Sequence, residues 1–191
     1  MEIINLYDFD KTIYDGDSSV DFFVWCLGKY PIIWLNIPKM VLAAIKYKLK
    51  ITNKTKMKEV IFSYLKKVPN VDEELELFWA KHKCYIKDFY QKKKHDKDII
   101  ISASPEFLLE PICKELKVKK LIASRVNKKT GKFTGLNCHD EEKVKRLSKE
   151  YKTYTVKEAY SDSMSDLPIL ELAKRAYIVK GDKLIEFKET D

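Results

Sequence analysis

The sequence has no Cys-x-x-Cys pair: its four cysteines, Cys26, Cys84, Cys113 and Cys138, lie far apart. That spacing argues against a disulfide framework and predicts a reduced, cytoplasmic setting; no secretory leader precedes them, which fits the same expectation. Cys138-His139 has no partner pair at zinc spacing, so no zinc centre is expected. Histidine is otherwise confined to His82 and His95, both in lysine-rich polar stretches, where they read as surface residues rather than catalysts. An EF-hand calcium loop needs glycine at its sixth position, and counting from Asp8 or Asp15 gives Ile13 or Val20 instead. An uninterrupted apolar run is missing too. The most apolar stretch, Pro31 to Leu49, is broken by Asn36, Pro38, Lys39 and Lys46, which excludes a transmembrane span. Two readings of it stay open: a helix packed in a small helical bundle, and a helix lying on an anionic bilayer. The second arises because Trp34, Ile33, Met40 and Leu42 stand among Lys39, Lys46, Lys48 and Lys50.

What is present suits a globular protein. The chain has 191 residues, 45% of them apolar and 35% charged, enough for one good core and a modest insertion. The net charge of +8 suits an anionic partner, whether a phosphorylated small molecule, an acidic lipid surface or nucleic acid.

The stretch from Ile3 to Ile13 reads as a buried strand that ends in Asp8 and Asp10, at the carboxyl end where open parallel α/β sheets hold ligands. With fourteen aspartates in the chain, roughly one Asp-x-Asp arises by chance, so the pair needs company. Asp15-Gly16 then marks a turn and Asp17 or Ser18 a helix start, followed by predicted helices over 18–28, 31–49, 54–66 and 72–94. A second strand runs from Asp98 into Ser102-Ala103-Ser104-Pro105 and a helix over 106–116. At that corner Ser102 is either a cap and turn residue or a donor to a phosphate oxygen. A third strand covers 120–125, and a tight turn falls at Thr130-Gly131. The helix opened by Asp140 carries Lys143 in its first turns, against the macrodipole; locally it reads as solvated charge. A fourth strand, 153–161, delivers Asp162 and Asp166, the latter placed to start a helix to Arg175. A helix cap accounts for one of these aspartates and not for both. Short strands at 176–180 and 184–187 complete the pattern.

DFDKT, ISAS, Lys143 near a helix start and SDSMSD occur in this order, and together they resemble the haloacid dehalogenase superfamily of phosphohydrolases. Within it, YSDSMSDLPIL, ISASPEFLLEPI, LIASRV, CHDEEKV and the apolar, lysine-punctuated insertion look like subfamily IB, the phosphoserine-phosphatase-like branch, and most like the phosphatidylglycerophosphatase C type. Lys11 stands where the superfamily usually has glycine, and Ser161 and Ser165 replace the glycine and asparagine of the common fourth motif. The resemblance implies an α/β fold with a Rossmann-like parallel-sheet core from residues 1–14 and 95–191, and a helical C1-type cap over 15–94. It implies Asp8 as nucleophile forming an aspartyl-phosphate, Asp10 as acid and base, and Thr12, Ser102 and Lys143 holding phosphoryl oxygens. Asp8, Asp162 and the main-chain carbonyl of Asp10 would be ligands of Mg2+, with Asp166 orienting Lys143 or metal waters and Asp17 touching substrate at the cap entrance. The expected partner is a phosphorylated small molecule or a lipid phosphate. A lipid-linked phosphate such as phosphatidylglycerophosphate leads, with cap contact at the inner face of the membrane, and a soluble phosphoserine-type metabolite is the alternative. A non-catalytic basic module would leave the four motifs unexplained, so no nucleic acid is expected.

Overall fold

The computed structural model describes residues 2–189, built on a six-stranded sheet in the order β3-β2-β1-β4-β5-β6. The strands are β1 (Glu2–Tyr7), β2 (Asp98–Pro105), β3 (Lys120–Ser124), β4 (Tyr154–Ser161), β5 (Ala173–Lys180) and β6 (Lys183–Glu189). All neighbours are parallel except β5 and β6, which form an antiparallel hairpin. The expected α/β class with a Rossmann-like, mainly parallel sheet is what the molecule has. The chain leaves β1 toward β2 and β3, then returns on the other side as β4, so the order reverses at β1. Crevices at such reversals, beyond the carboxyl ends of the strands, are where this architecture binds ligands.

The central strands of the sheet are buried on both faces, and their side chains alternate between them with a period of two. Ile99 and Ile101 of β2 join Ile4, Leu6, Val156 and Ala159 under α7 (Glu141–Glu150) and α8 (Leu167–Leu170), while Ile100 joins Tyr7 and Tyr160 on the opposite face. That opposite face is covered by α6 (Glu106–Glu115) and by the long insertion after β1, which holds α1 (Ser18–Lys29), α2 (Ile37–Lys48), α3 (Lys54–Ile61), α4 (Val71–His82) and α5 (Asp88–Lys93). Phe22, Phe78 and Trp79 of the insertion lie in the same apolar cluster as Phe9, Ile100 and Leu108. Trp79 also donates its indole N–H to the Leu108 carbonyl at 2.7 Å. Trp79→Phe keeps most of the apolar volume and removes this buried bond; it should lower unfolding free energy by about 0.5–1.5 kcal/mol in denaturant titrations.

Several expected helices are broken. The stretch 31–49 is a 3-10 turn over Pro31–Asn36 followed by α2, because Pro38 lacks an amide hydrogen and fits only the first turn of a new helix. Its apolar residues divide accordingly: Ile33 and Met40 are buried, Trp34 and Leu42 exposed. The stretch 54–66 is α3 continued by a 3-10 turn over Phe62–Lys67. The stretch 72–94 is interrupted at Ile86, whose extended backbone pairs with Tyr14 while the Lys87 amide donates to the Ile13 carbonyl at 2.8 Å. The helix expected to reach Arg175 stops at Leu170, since Ala173 and Ala176 pair with β4, and sheet pairing overrides local helix preference. His82 is half-buried, its ring stacked on Phe78 at 4.0 Å, and so is less exposed than its polar neighbours suggest.

Candidate active site

The carboxyl ends of β1 and β4 deliver Asp8, Asp10 and Asp162 to one cavity of about 410 Å³, which Ser102 and Lys143 also line. The Asp8 amide donates to the Tyr160 carbonyl at 2.9 Å and the Asp162 amide to the Thr12 side-chain Oγ1 at 2.9 Å, so one main-chain and one side-chain bond fix the two strand ends side by side. Thr12 is fully buried, and its hydroxyl also reaches Asp8 Oδ2 at 3.4 Å; it braces the two carboxylate loops from behind.

Lys143 is only 1% exposed, so the reading of it as solvated charge is overturned. Helix α7 aims it inward, where Nζ donates to Asp8 Oδ1 and Asp166 Oδ2, each at 2.7 Å. Those two carboxylates hold its ammonium charged despite full burial, well above the usual lysine range. Asp166 begins α8 without capping it by its side chain. Its Oδ2 receives Lys143 and the Ser161 hydroxyl, the latter at 2.7 Å.

Asp10 is held from two sides, by the start of α1 and by the end of β2. Its Oδ1 accepts the Ser18 amide at 2.7 Å, and its Oδ2 accepts the Ser104 hydroxyl. The Ser104 hydroxyl lies 2.8 Å from that of Ser19 on α1. Because a hydroxyl both donates and accepts, Ser104 satisfies Asp10 in either protonation state. Ser102 Oγ accepts the Ser104 amide at 3.1 Å. Asp17 lines the cavity too, and its carboxylate caps α1 by accepting the Ser19 and Val20 amides, each at 3.1 Å. Lys11 adopts φ of 59°, a conformation that costs a non-glycine residue about 1–2 kcal/mol; glycine, usual there in the resembled superfamily, would carry no such strain.

The site has a surplus of negative charge. Burial pushes Asp8 up to about 7, with the Asp166 and Asp10 carboxylates adding to the shift against the pull of Lys143. Burial also raises Asp10, with repulsion from Asp17, and Asp162, with repulsion from Asp166. Asp8, Asp10 and Asp162, offering hard oxygen donors toward one cavity, fit a small divalent cation such as Mg2+.

Among the lining residues not singled out from the sequence as site residues are Ser104, Lys54, Lys58 and His139. Lys58 Nζ, on α3, donates to the Ala103 carbonyl and to Asn137 Oδ1, each at 2.9 Å, and among the described residues meets no carboxylate within ion-pairing distance. Burial, reinforced by Lys54, pushes it down to about 8. Beside these cations the cavity wall is apolar, formed by Phe23, Met57, Ile61 and Phe62. A helix position alone gives no hint of this inward aim, since α3 is rich in lysine throughout.

A family model for haloacid dehalogenase-like hydrolases matches residues 6–171. A probable phosphatase of Mycobacterium tuberculosis is 33% identical over 92 residues, 44% of this chain and 32% of that protein. The chain thus spans about a third of the length of that curated relative. Among solved structures, a protein of unknown function from Bordetella pertussis superposes with a TM-score of 0.75 at 19% identity, covering 93% of this chain and 90% of the other. A phosphoserine phosphohydrolase-like protein from Francisella tularensis superposes with a TM-score of 0.55 at 15% identity, covering 93% and 87%. At these identities the two structures speak for the fold.

Proposed function

The chain belongs to the haloacid dehalogenase-like hydrolase family, and from that premise we propose that it hydrolyses a phosphate monoester through a covalent intermediate on Asp8. The observation that carries the reading is Lys143, buried between Asp8 and Asp166 at a cavity that Asp10 and Asp162 also line. A dianionic ester accepts attack by a carboxylate only where cations and fixed donors offset the repulsion. The Asp8 and Asp162 carboxylates and the Asp10 main-chain carbonyl would hold Mg2+, which supplies positive charge beside the phosphoryl group.

An oxygen of Asp8 attacks phosphorus and the bond to the leaving oxygen breaks, while Asp10 gives that oxygen its proton. Asp10, now a carboxylate held by Ser18 and Ser104, then takes a proton from water as the water oxygen attacks phosphorus, and the bond to Asp8 breaks. The raised affinity of Asp10 for its proton suits the acid role. Lys143 and Ser102 hold phosphoryl oxygens, and Thr12 aligns the loops that present them. Residues 15–94 act as the cap, and Asp17 lies at its entrance.

For the leaving group, the paired Lys54 and Lys58 beside an apolar wall favour a molecule with a second anionic group and a greasy part. A lipid-linked phosphate of the phosphatidylglycerophosphate kind has both, which also agrees with the resemblance to the phosphatidylglycerophosphatase C type. Such a substrate would place the enzyme in the cytoplasm, at the inner face of the membrane. The test is phosphate release, with and without Mg2+, from phosphatidylglycerophosphate, phosphoserine and a panel of simple esters. Release from none overturns the hydrolase chemistry; efficient release from phosphoserine with the lipid untouched replaces the substrate. Lys58→Met should raise KM for the lipid substrate roughly ten-fold or more and leave kcat nearly unchanged, the mark of lost uniform binding. In the unsubstituted enzyme the same KM should climb above pH of about 8, where Lys58 gives up its proton.

A further inference from the structure

Helix α2 packs inward through buried Met40 and Ala43 and partly buried Ile37, and most of its remaining surface is exposed. At 3.6 residues per turn, Val41, Leu42 and Ile45 fall on the side opposite Met40 and Ala43, and Leu49 continues their stripe. Trp34 and Leu35, in the turn before α2, are 60% and 75% exposed and extend the apolar surface. Lysines border it: Lys39, Lys46 and Lys50 on one flank and Lys48 on the other, all exposed and none in an ion pair among the described residues. Between Asp21 and Glu59 the chain has eight lysines and no acidic residue. The segment is anchored from below, since buried Glu74 accepts Trp25 Nε1, Lys29 Nζ and the Tyr30 hydroxyl within 2.8 Å.

We infer that the outward face of α2, with Trp34 and Leu35, is a docking surface for an anionic lipid bilayer. An apolar stripe flanked by lysines is the pattern of helices that lie in the membrane interface, the stripe among the upper acyl chains and the ammonium groups at the headgroups. A second copy of this chain is a poorer occupant, since a symmetric contact would bring the unpaired lysines of both copies together with no acid to meet them. No helix of the described residues is long and apolar enough to cross a membrane, so the contact is peripheral. Val20 and Phe23 of α1 line the catalytic cavity and Val20 is itself exposed, so the insertion that carries this face also borders the cavity. The surface does not depend on the ester being a lipid.

The test is co-sedimentation with vesicles of phosphatidylcholine alone and of phosphatidylcholine with about one third phosphatidylglycerol. Binding should be at least about ten-fold stronger to the anionic vesicles and should weaken as salt is raised. Leu42→Ser with Ile45→Ser, and separately Lys46→Ser with Lys48→Ser, should each cut it several-fold while circular dichroism stays unchanged. No binding, equal binding to both vesicles, or full binding by both variants overturns the inference. So does a concentration-dependent dimer that Leu42→Ser with Ile45→Ser abolishes, because the face would then be covered by a second copy. Sedimentation needs no turnover: its failure leaves the hydrolase reading intact, and absence of hydrolysis leaves the surface intact.

Discussion

Asp8→Asn should lose at least about 10⁴-fold in kcat for phosphate release while remaining folded. The amide is nearly the same shape as the carboxylate, and its oxygen still accepts the Lys143 ammonium that now meets Oδ1 at 2.7 Å. Lys143 also keeps Asp166, so no buried charge is orphaned. What disappears is the nucleophile, because an amide oxygen is too weak to displace an alkoxide from phosphorus. Stability should hold or rise slightly, since burial and neighbouring carboxylates already disfavour the charged form of Asp8. An undiminished rate in Asp8→Asn, with matching far-ultraviolet spectra, would remove Asp8 from the chemistry and with it the covalent route.

The sheet and the carboxylates were readable in the sequence for one physical reason. A buried parallel strand is a short apolar run, and where it ends the next residues necessarily emerge at the ligand-binding edge; Asp8, Asp10 and Asp162 follow such runs directly. Lys143 was not readable locally, because a lysine in a first helical turn is ordinarily solvated. Only the fold turns α7 so that the ammonium enters a buried space between two acids 135 and 23 residues away. Ser104 and Lys58 were hidden for similar reasons. Ser104 follows Ser102 by two residues at the same strand end, and nothing local tells which hydroxyl meets Asp10; Lys58 is one of several lysines on a short helix whose inward face is set by long-range packing. The break at Ile86 in the insertion and the early end of the helix before β5 were missed because Ile86 and Ala173 take extended backbone from distant partners, Tyr14 and β4.

Lys143→Met tests the electrostatic centre of the site by stability rather than by rate. The substitution is close in volume, so packing is largely kept, but Asp8 and Asp166 would remain buried with no cation between them. Breaking a buried ion pair from one side costs about 3–5 kcal/mol, and the loss should appear in denaturant unfolding at neutral pH. Its pH dependence follows from the carboxylates. Asp8 already titrates near 7 in the folded state, against about 4 for an unperturbed aspartate, and losing Lys143 can only raise it further. Between those values the folded variant binds more protons than the unfolded chain, so its stability falls as pH rises through that window. The parent's Asp8, also raised by burial, loses stability in the same way up to about 7, so the deficit against the parent widens only above that pH, where the parent's Asp8 has ionised beside Lys143 and the variant's has not. It should be larger near pH 8 than near pH 5. Asp166→Asn placed on Lys143→Met should recover a substantial part of the deficit, though alone it leaves Lys143 with one acid fewer. That non-additivity is the signature of direct coupling. Mg2+ should stabilise Lys143→Met more than the parent, since the variant presents the same oxygen donors with one less competing positive charge. Equal stability of Lys143→Met and the parent at pH 8 would mean that the buried triad carries no charge, and the site would then lack the cation that a dianionic ester requires.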